Sequence, residues 1–125
     1  MSGQNKKILI VEDEAIAALS LRELLEFWHY EACEPASSGR EAIGKTESER
    51  PDIVLMDIRL KGEMDGVSAA REIIARFGVP VIFMSGFSDD EVQGKEGLAN
   101  AAFLTKPINL NDLRKAIESV TGRGR

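Results

Sequence analysis

Four short apolar runs punctuate the chain: Ile8 to Val11, Ile53 to Met56, Val79 to Met84 and Ala101 to Thr105. None alternates strictly with polar residues. Such runs are buried on both faces, as strands of a parallel sheet are when helices cover it above and below. A weaker run from Tyr30 to Ala36 carries Glu31, Glu34 and Pro35, which places it at a sheet edge. Between the runs the apolar period changes to that of a helix. Ala17, Leu21, Leu24 and Trp28 form one stripe, Val67, Ala70, Ile74 and Phe77 a second, and Leu110, Leu113, Ile117 and Val120 a third. Asn109 precedes the third stripe as an N-cap, with Asp112 in a capping-box position. Ser38 to Ser48 reads as a shorter helix. Ser88 to Leu98 is the weakest, because Gly94 and Gly97 each cost a helix about 1 kcal/mol against alanine.

Five strands alternating with five helices predict an α/β domain with a doubly wound parallel sheet. Right-handed crossovers favour the strand order 2-1-3-4-5. The expected domain is 1–125, with its core from about 6 to 120 and a frayed tail at 121–125.

Composition narrows the function. The chain has 125 residues, enough for one domain, and a net charge of −5. That acidity is the wrong electrostatic footprint for direct nucleic-acid binding. A single cysteine, Cys33, excludes an internal disulfide and a thiolate metal cage. No apolar run approaches the ~20 residues of a membrane span, and the polar start has no signal-peptide core. A cytoplasmic protein with no membrane contact is expected.

The chemistry gathers where the strands end. Glu12 and Asp13 follow the first run, Asp57 the third strand, Ser85 the fourth and Lys106 the fifth. Open α/β sheets bind ligands at the carboxyl ends of their strands. In the order 2-1-3-4-5 the first and third strands are neighbours, so Glu12, Asp13 and Asp57 converge. Carboxylates that close raise one another's pKa, and a hard cation such as Mg²⁺ relieves them. Lys106 offers a charge to a phosphate oxygen and Ser85 a hydroxyl donor. These parts suit the placing of a phosphoryl group. Taken singly, each has an ordinary reading. Asp13 could cap the next helix, Asp65-Gly66 could simply begin the third helix, and Lys106-Pro107 could be a solvated strand end.

Together the set resembles the receiver domains of the two-component response regulators, from about Lys6 to Val120. The matching residues are Glu12-Asp13, Asp57, Met64-Asp65-Gly66, Ser85, Phe103 and Lys106-Pro107. The resemblance implies a flavodoxin-like fold and a mechanism. Asp57 is the nucleophile and the phosphorylated residue, taking its phosphoryl group from the phosphohistidine of a histidine kinase, from a phosphotransfer protein or from a small phosphodonor. Asp13, Asp57 and the backbone carbonyl of Arg59 hold Mg²⁺, and Glu12 acts through a metal-bound water. Lys106 pairs with the phosphoryl oxygens. Ser85 and Phe103 are the switch residues, and a cis Lys106-Pro107 bond aims the lysine. The output is a change on the face made by Ser88–Leu98, the fifth strand and the last helix, read by a downstream protein partner. A signalling switch is implied, not an enzyme that turns over substrate, and a stand-alone receiver is favoured over a piece of a larger regulator.

Four departures accompany the match: Ser85 where threonine is commoner, Gly86 after it where alanine is common, Phe103 where tyrosine is common, and His29 where glycine often follows the first helix. Rival readings fit less well. A haloacid-dehalogenase-type phosphohydrolase resembles Asp-x-Asp, but Arg59 stands two residues after Asp57. A nucleotide or flavin module wants a glycine-rich first turn, whereas here it is Glu12-Asp13-Glu14. A receiver-like scaffold that is never phosphorylated would not need the complete site.

Overall fold

A computed structural model describes residues 6–60, 64–85 and 101–122. The elements run β1 (Lys7–Val11), α1 (Ala15–Phe27), β2 (Glu31–Ala32), α2 (Gly39–Glu49), β3 (Ile53–Asp57), α3 (Gly66–Phe77), β4 (Val81–Ser85), β5 (Ala101–Thr105) and α4 (Leu110–Gly122). The strands form one sheet in the order β2-β1-β3-β4-β5, all parallel. This is the doubly wound arrangement expected. The helix expected from Ser88 to Leu98 lies outside the described residues.

The pleat sorts the strand residues into two cores. Leu9, Val11, Val54, Met56, Val81 and Phe83 pack with Ala69, Ala70 and Ile73 of α3 and Ala42 and Ile43 of α2. Ile8, Ile10, Ile53, Leu55, Ile82 and Met84 pack on the other side with Ala18 and Leu25 of α1 and Leu113 and Ile117 of α4. Successive side chains point to opposite faces, so a strand covered on both must be apolar throughout. Burying each large aliphatic side chain contributes roughly 1.5–3 kcal/mol. The β-branched strand residues also suit a pleated surface.

Local chemistry starts and stops the helices. Ser38 caps α2 by accepting from Glu41 N at 3.1 Å. Asp65 caps α3 by accepting from Ser68 N at 2.8 Å. Asn109 Oδ1 accepts from Asp112 N at 3.0 Å ahead of α4, as the sequence predicts. Asp13 does not cap α1. Glu14 holds that position and makes no side-chain cap bond, which leaves Asp13 for the strand-end site.

Two details differ from the sequence expectation. The stripe of α1 is rotated by one position, so that Ala18 and Leu25 are fully buried while Ala17, Leu21, Leu24 and Trp28 flank them. Leu110 is 53% exposed, because α4 first meets the core at Leu113. At the β2 edge the regular pairing covers two residues, and Val11 makes an isolated bridge to Ala36 beyond it. Cys33 is buried in the β2 region, and burial pushes its thiol up to about 11, so it is inert.

Candidate phosphoacceptor site

The register of β1 on β3 pairs Val11 with Met56. The next residue on each strand is an acid, Glu12 and Asp57. Both lie under the sheet's carboxyl edge, 6% and 4% exposed respectively. Asp13 follows, half-buried. One carboxylate oxygen from each of Glu12, Asp13 and Asp57 can be chosen so that all lie within 4.8 Å of one another. The convergence expected from strand order is therefore present.

The two buried acids are tethered. The Asp57 Oδ1 accepts from the Arg59 backbone N–H at 3.0 Å, and Oδ2 lies 3.3 Å from Lys106 Nζ. Glu12 Oε2 accepts from Glu14 N at 3.2 Å, and the Glu12 N–H donates to Ala36 O at 2.9 Å. Burial first, and then the Asp57 charge, push the Glu12 carboxyl from 4.5 up to about 7. The Glu14 amide and Lys106 oppose that rise. A buried acid held this far from its ordinary range marks a concentration of negative charge that a cation would relieve.

The fourth and fifth strands complete the pocket. Met84 pairs with Asp57 across β3 and β4, and Ser85 is the residue after it, buried at the strand end. Lys106 N donates to Ser85 O at 2.6 Å, which ties the end of β5 to that of β4. The Lys106-Pro107 bond is cis, as the resemblance implies. Phe103 pairs in register with Phe83, and their rings stack with centroids 5.1 Å apart. Phe83 is fully buried while Phe103 is 37% exposed, so the outer ring of the stack has solvent to turn into. On the open side, a groove of about 310 Å³ runs past Glu12 and Asp13 between α1 and Pro35 to Ser37.

The structure thus brings together Glu12, Asp13, Asp57 and Lys106, and sets Ser85 at the adjoining strand end. Sequence reasoning overlooked two features. The Arg59 amide steadies Asp57 directly, and a backbone N–H leaves no signature in a sequence. Gly66 lies against the Asp57 carbonyl; Met64-Asp65-Gly66 belongs to the matching set and could begin a helix, but neither reading reveals this approach.

Comparison with known proteins agrees with this arrangement. The family model of the response regulator receiver domain matches residues 8–118. The transcriptional regulatory protein PdtaR of Mycobacterium tuberculosis is 36% identical over 121 residues, covering 96% of this chain and 58% of that protein. The chain likewise spans 27% of the transcriptional regulatory protein ZraR of Escherichia coli, so it matches a part of these regulators. Sporulation initiation phosphotransferase F of Bacillus subtilis is 29% identical over 91% of this chain and 92% of its own length. Among solved structures, the signal receiver domain of a modulated diguanylate cyclase from Desulfovibrio desulfuricans superposes with a TM-score of 0.86 at 34% identity, covering 94% of both chains. With its sheet order, its acidic strand ends and the family match across its core, this chain belongs to the response regulator receiver domains.

Proposed function

We propose that this receiver accepts a phosphoryl group on Asp57, and that residues 1–125 act as one domain for that purpose. The observation that carries the reading is the convergence of three carboxylates within 4.8 Å, with Lys106 Nζ 3.3 Å from the one that ends β3. A nucleophile, a charge-neutralising partner and a cation-seeking cluster are what phosphoryl transfer needs from a protein.

An Asp57 carboxylate oxygen attacks the phosphorus of a phosphohistidine. The P–N bond breaks, its electron pair leaves on the imidazole nitrogen, and Asp57 becomes an acyl phosphate. Lys106 is placed to follow the negative charge from the carboxylate to the phosphoryl oxygens. Ser85 donates its hydroxyl to one of those oxygens, and Phe103 repacks as the Ser85 side chain moves. The hard oxygen donors Asp13, Asp57 and the Arg59 carbonyl, with Glu12 through water, suit Mg²⁺, which would neutralise charge on the transferring group. Hydrolysis of the acyl phosphate returns the resting state, so the domain works as a switch and not as a turnover enzyme.

The phosphodonor is a histidine kinase or a phosphotransfer protein. A downstream protein reads the side of the domain that carries β5 and α4; the Ser88–Leu98 part of the expected output face lies outside the described residues. The net charge of −5 disfavours direct contact with nucleic acid, and among the described residues no helix is long and apolar enough to cross a membrane. A histidine kinase as phosphodonor is the support for a cytoplasmic location.

The test is direct. Incubation with a small acyl phosphate and Mg²⁺, borohydride reduction and mass spectrometry should place one adduct on Asp57. A wild-type yield of adduct from Asp57→Asn would overturn the assignment.

A further inference from the structure

We propose that Gly66 is a positioning residue for Asp57: α3 begins so close to the end of β3 that it sets the turn from which the carboxylate is aimed. The inference rests on the reading of Asp57 as phosphoacceptor and adds to it a residue that no contact with substrate would reveal.

A Cβ at Gly66 would lie 2.6 Å from the Asp57 carbonyl oxygen, 3.1 Å from Ile58 Cα and 3.2 Å from Ile58 O. All three are backbone atoms of the segment leaving β3. A flexible side chain could swing away from such an intrusion, whereas backbone must shift as a unit. Gly66 does not occupy the left-handed region. Close approach, not conformational freedom, is therefore what calls for glycine here.

The surrounding hydrogen bonds decide what would shift. Ile58 N donates to Met84 O at 3.0 Å, which anchors the segment to β4. The start of α3 is fixed by the Asp65 cap on Ser68 N at 2.8 Å. Pressed between these anchors, the Asp57–Ile58–Arg59 turn would have to rotate. Its Arg59 amide is the group that holds Asp57 Oδ1 at 3.0 Å. A methyl group on Gly66 thus reaches the reacting oxygens through one turn of backbone, without touching the pocket.

A second tight glycine supplies the control. A Cβ at Gly39 would meet Ala69 Cβ, Met64 Cγ and Met64 O, each at 3.1 Å. One of these contacts is to Ala69 of α3 and two are to Met64, just ahead of the Asp65 cap; none is to the backbone that leaves β3. At Gly44, inside α2, a Cβ would meet nothing within 4 Å, so Gly44→Ala provides a stabilised background.

The experiment compares Gly66→Ala and Gly39→Ala, each in the Gly44→Ala background, with that background alone and with Asp57→Asn. Folding is followed by circular dichroism and thermal melting, Mg²⁺ binding by NMR titration, and Asp57 phosphorylation with a small acyl phosphate at saturating Mg²⁺. We expect both glycine variants to fold and melt earlier. Only Gly66→Ala should shift the Arg59 amide resonance and lose about tenfold or more in phosphorylation rate, as small misplacements of a nucleophile do. Equal rates in the two variants, or a Gly66→Ala protein that does not fold even in this background, would make the residue merely structural and overturn the proposal. No adduct on the parent protein would instead remove the phosphoacceptor reading itself, and the positioning role with it.

Discussion

Lys106 Nζ stands 3.3 Å from Asp57 Oδ2, an ion pair that spans 49 residues of chain and joins the end of β5 to the end of β3. The lysine side chain is 39% exposed and the aspartate 6%. Solvent screens such a pair, yet the buried carboxylate depends on it more than the lysine does. In Lys106→Met the three acids lose this cation. The metal-free protein should be destabilised by on the order of 1 kcal/mol, and added Mg²⁺ should bind more tightly and restore the loss. Thermal melts with and without MgCl₂ check both; a metal-free midpoint equal to that of wild type would contradict the expectation.

Glu12 makes stability depend on pH in a definite direction. Its folded value is about 7 against an ordinary 4.5, chiefly because it is buried. Below pH 4.5 the group is protonated in both folded and unfolded states and costs nothing. As pH climbs toward 7 the unfolded chain releases the proton while the folded protein holds it, so the folded state loses stability, by on the order of 2 kcal/mol. Glu12→Gln should flatten this fall. Urea unfolding from pH 4.5 to 7.5 in the absence of Mg²⁺ would show it, and parallel slopes for the two proteins would refute it.

Asp13 lies at the mouth of the site, and its removal should cost affinity more than stability. Asp13→Ala is expected to abolish Mg²⁺-dependent shifts in an NMR titration and to abolish phosphorylation of Asp57, with a melting point close to that of wild type. Trp28 is a poor reporter for this purpose. Its ring sits against the Arg114 guanidinium at 5.4 Å on the α1–α4 side, away from the carboxylates. Unchanged metal binding would show that Asp13 is not a ligand.

His29 holds a φ of 71°, the left-handed conformation that follows many helices. Its N–H donates to Glu26 O at 2.9 Å, closing α1. An L side chain there is strained, so His29→Gly should keep the closure and gain about 0.5–1 kcal/mol. A rise in melting temperature of roughly 2–6 °C is expected, with no change in phosphorylation. A lower melting temperature would mean that the imidazole makes a contact worth more than the strain.

Much of this molecule is legible in its sequence because a parallel sheet writes itself plainly. Residues such as Ile53 to Met56 are buried on both faces, and the polar residue that ends such a run must stand at the sheet's edge. The sequence therefore places Asp57 and Glu12 at that edge. Helix phase is less legible. Ala17 and Ala18, or Leu24 and Leu25, are adjacent apolar residues, and periodicity alone does not say which of each pair faces the sheet. Leu110 fits the apolar stripe of α4, yet the stripe extends beyond the core it covers. Backbone proximity is hidden altogether. Gly66 reads as a helix start, and nothing in the letters Asp-Gly tells how near the previous strand will pass.

The sheet that separates the two cores has a consequence for how the protein can change. Ile73 packs only in the layer with α2 and α3, and Ile117 only in the layer with α1 and α4. Losses from trimming distant side chains with no shared partner add to within about 0.5 kcal/mol, so Ile73→Val and Ile117→Val should combine as a simple sum. One helical layer can then drift, repack or acquire a new recognition surface while the other stays as it is. Strand residues have no such liberty, since each turn of their side chains toward one layer is fixed by the neighbour that turns toward the other. Inheritance would see this domain as two loosely linked modules riveted to a sheet that must be copied almost unchanged.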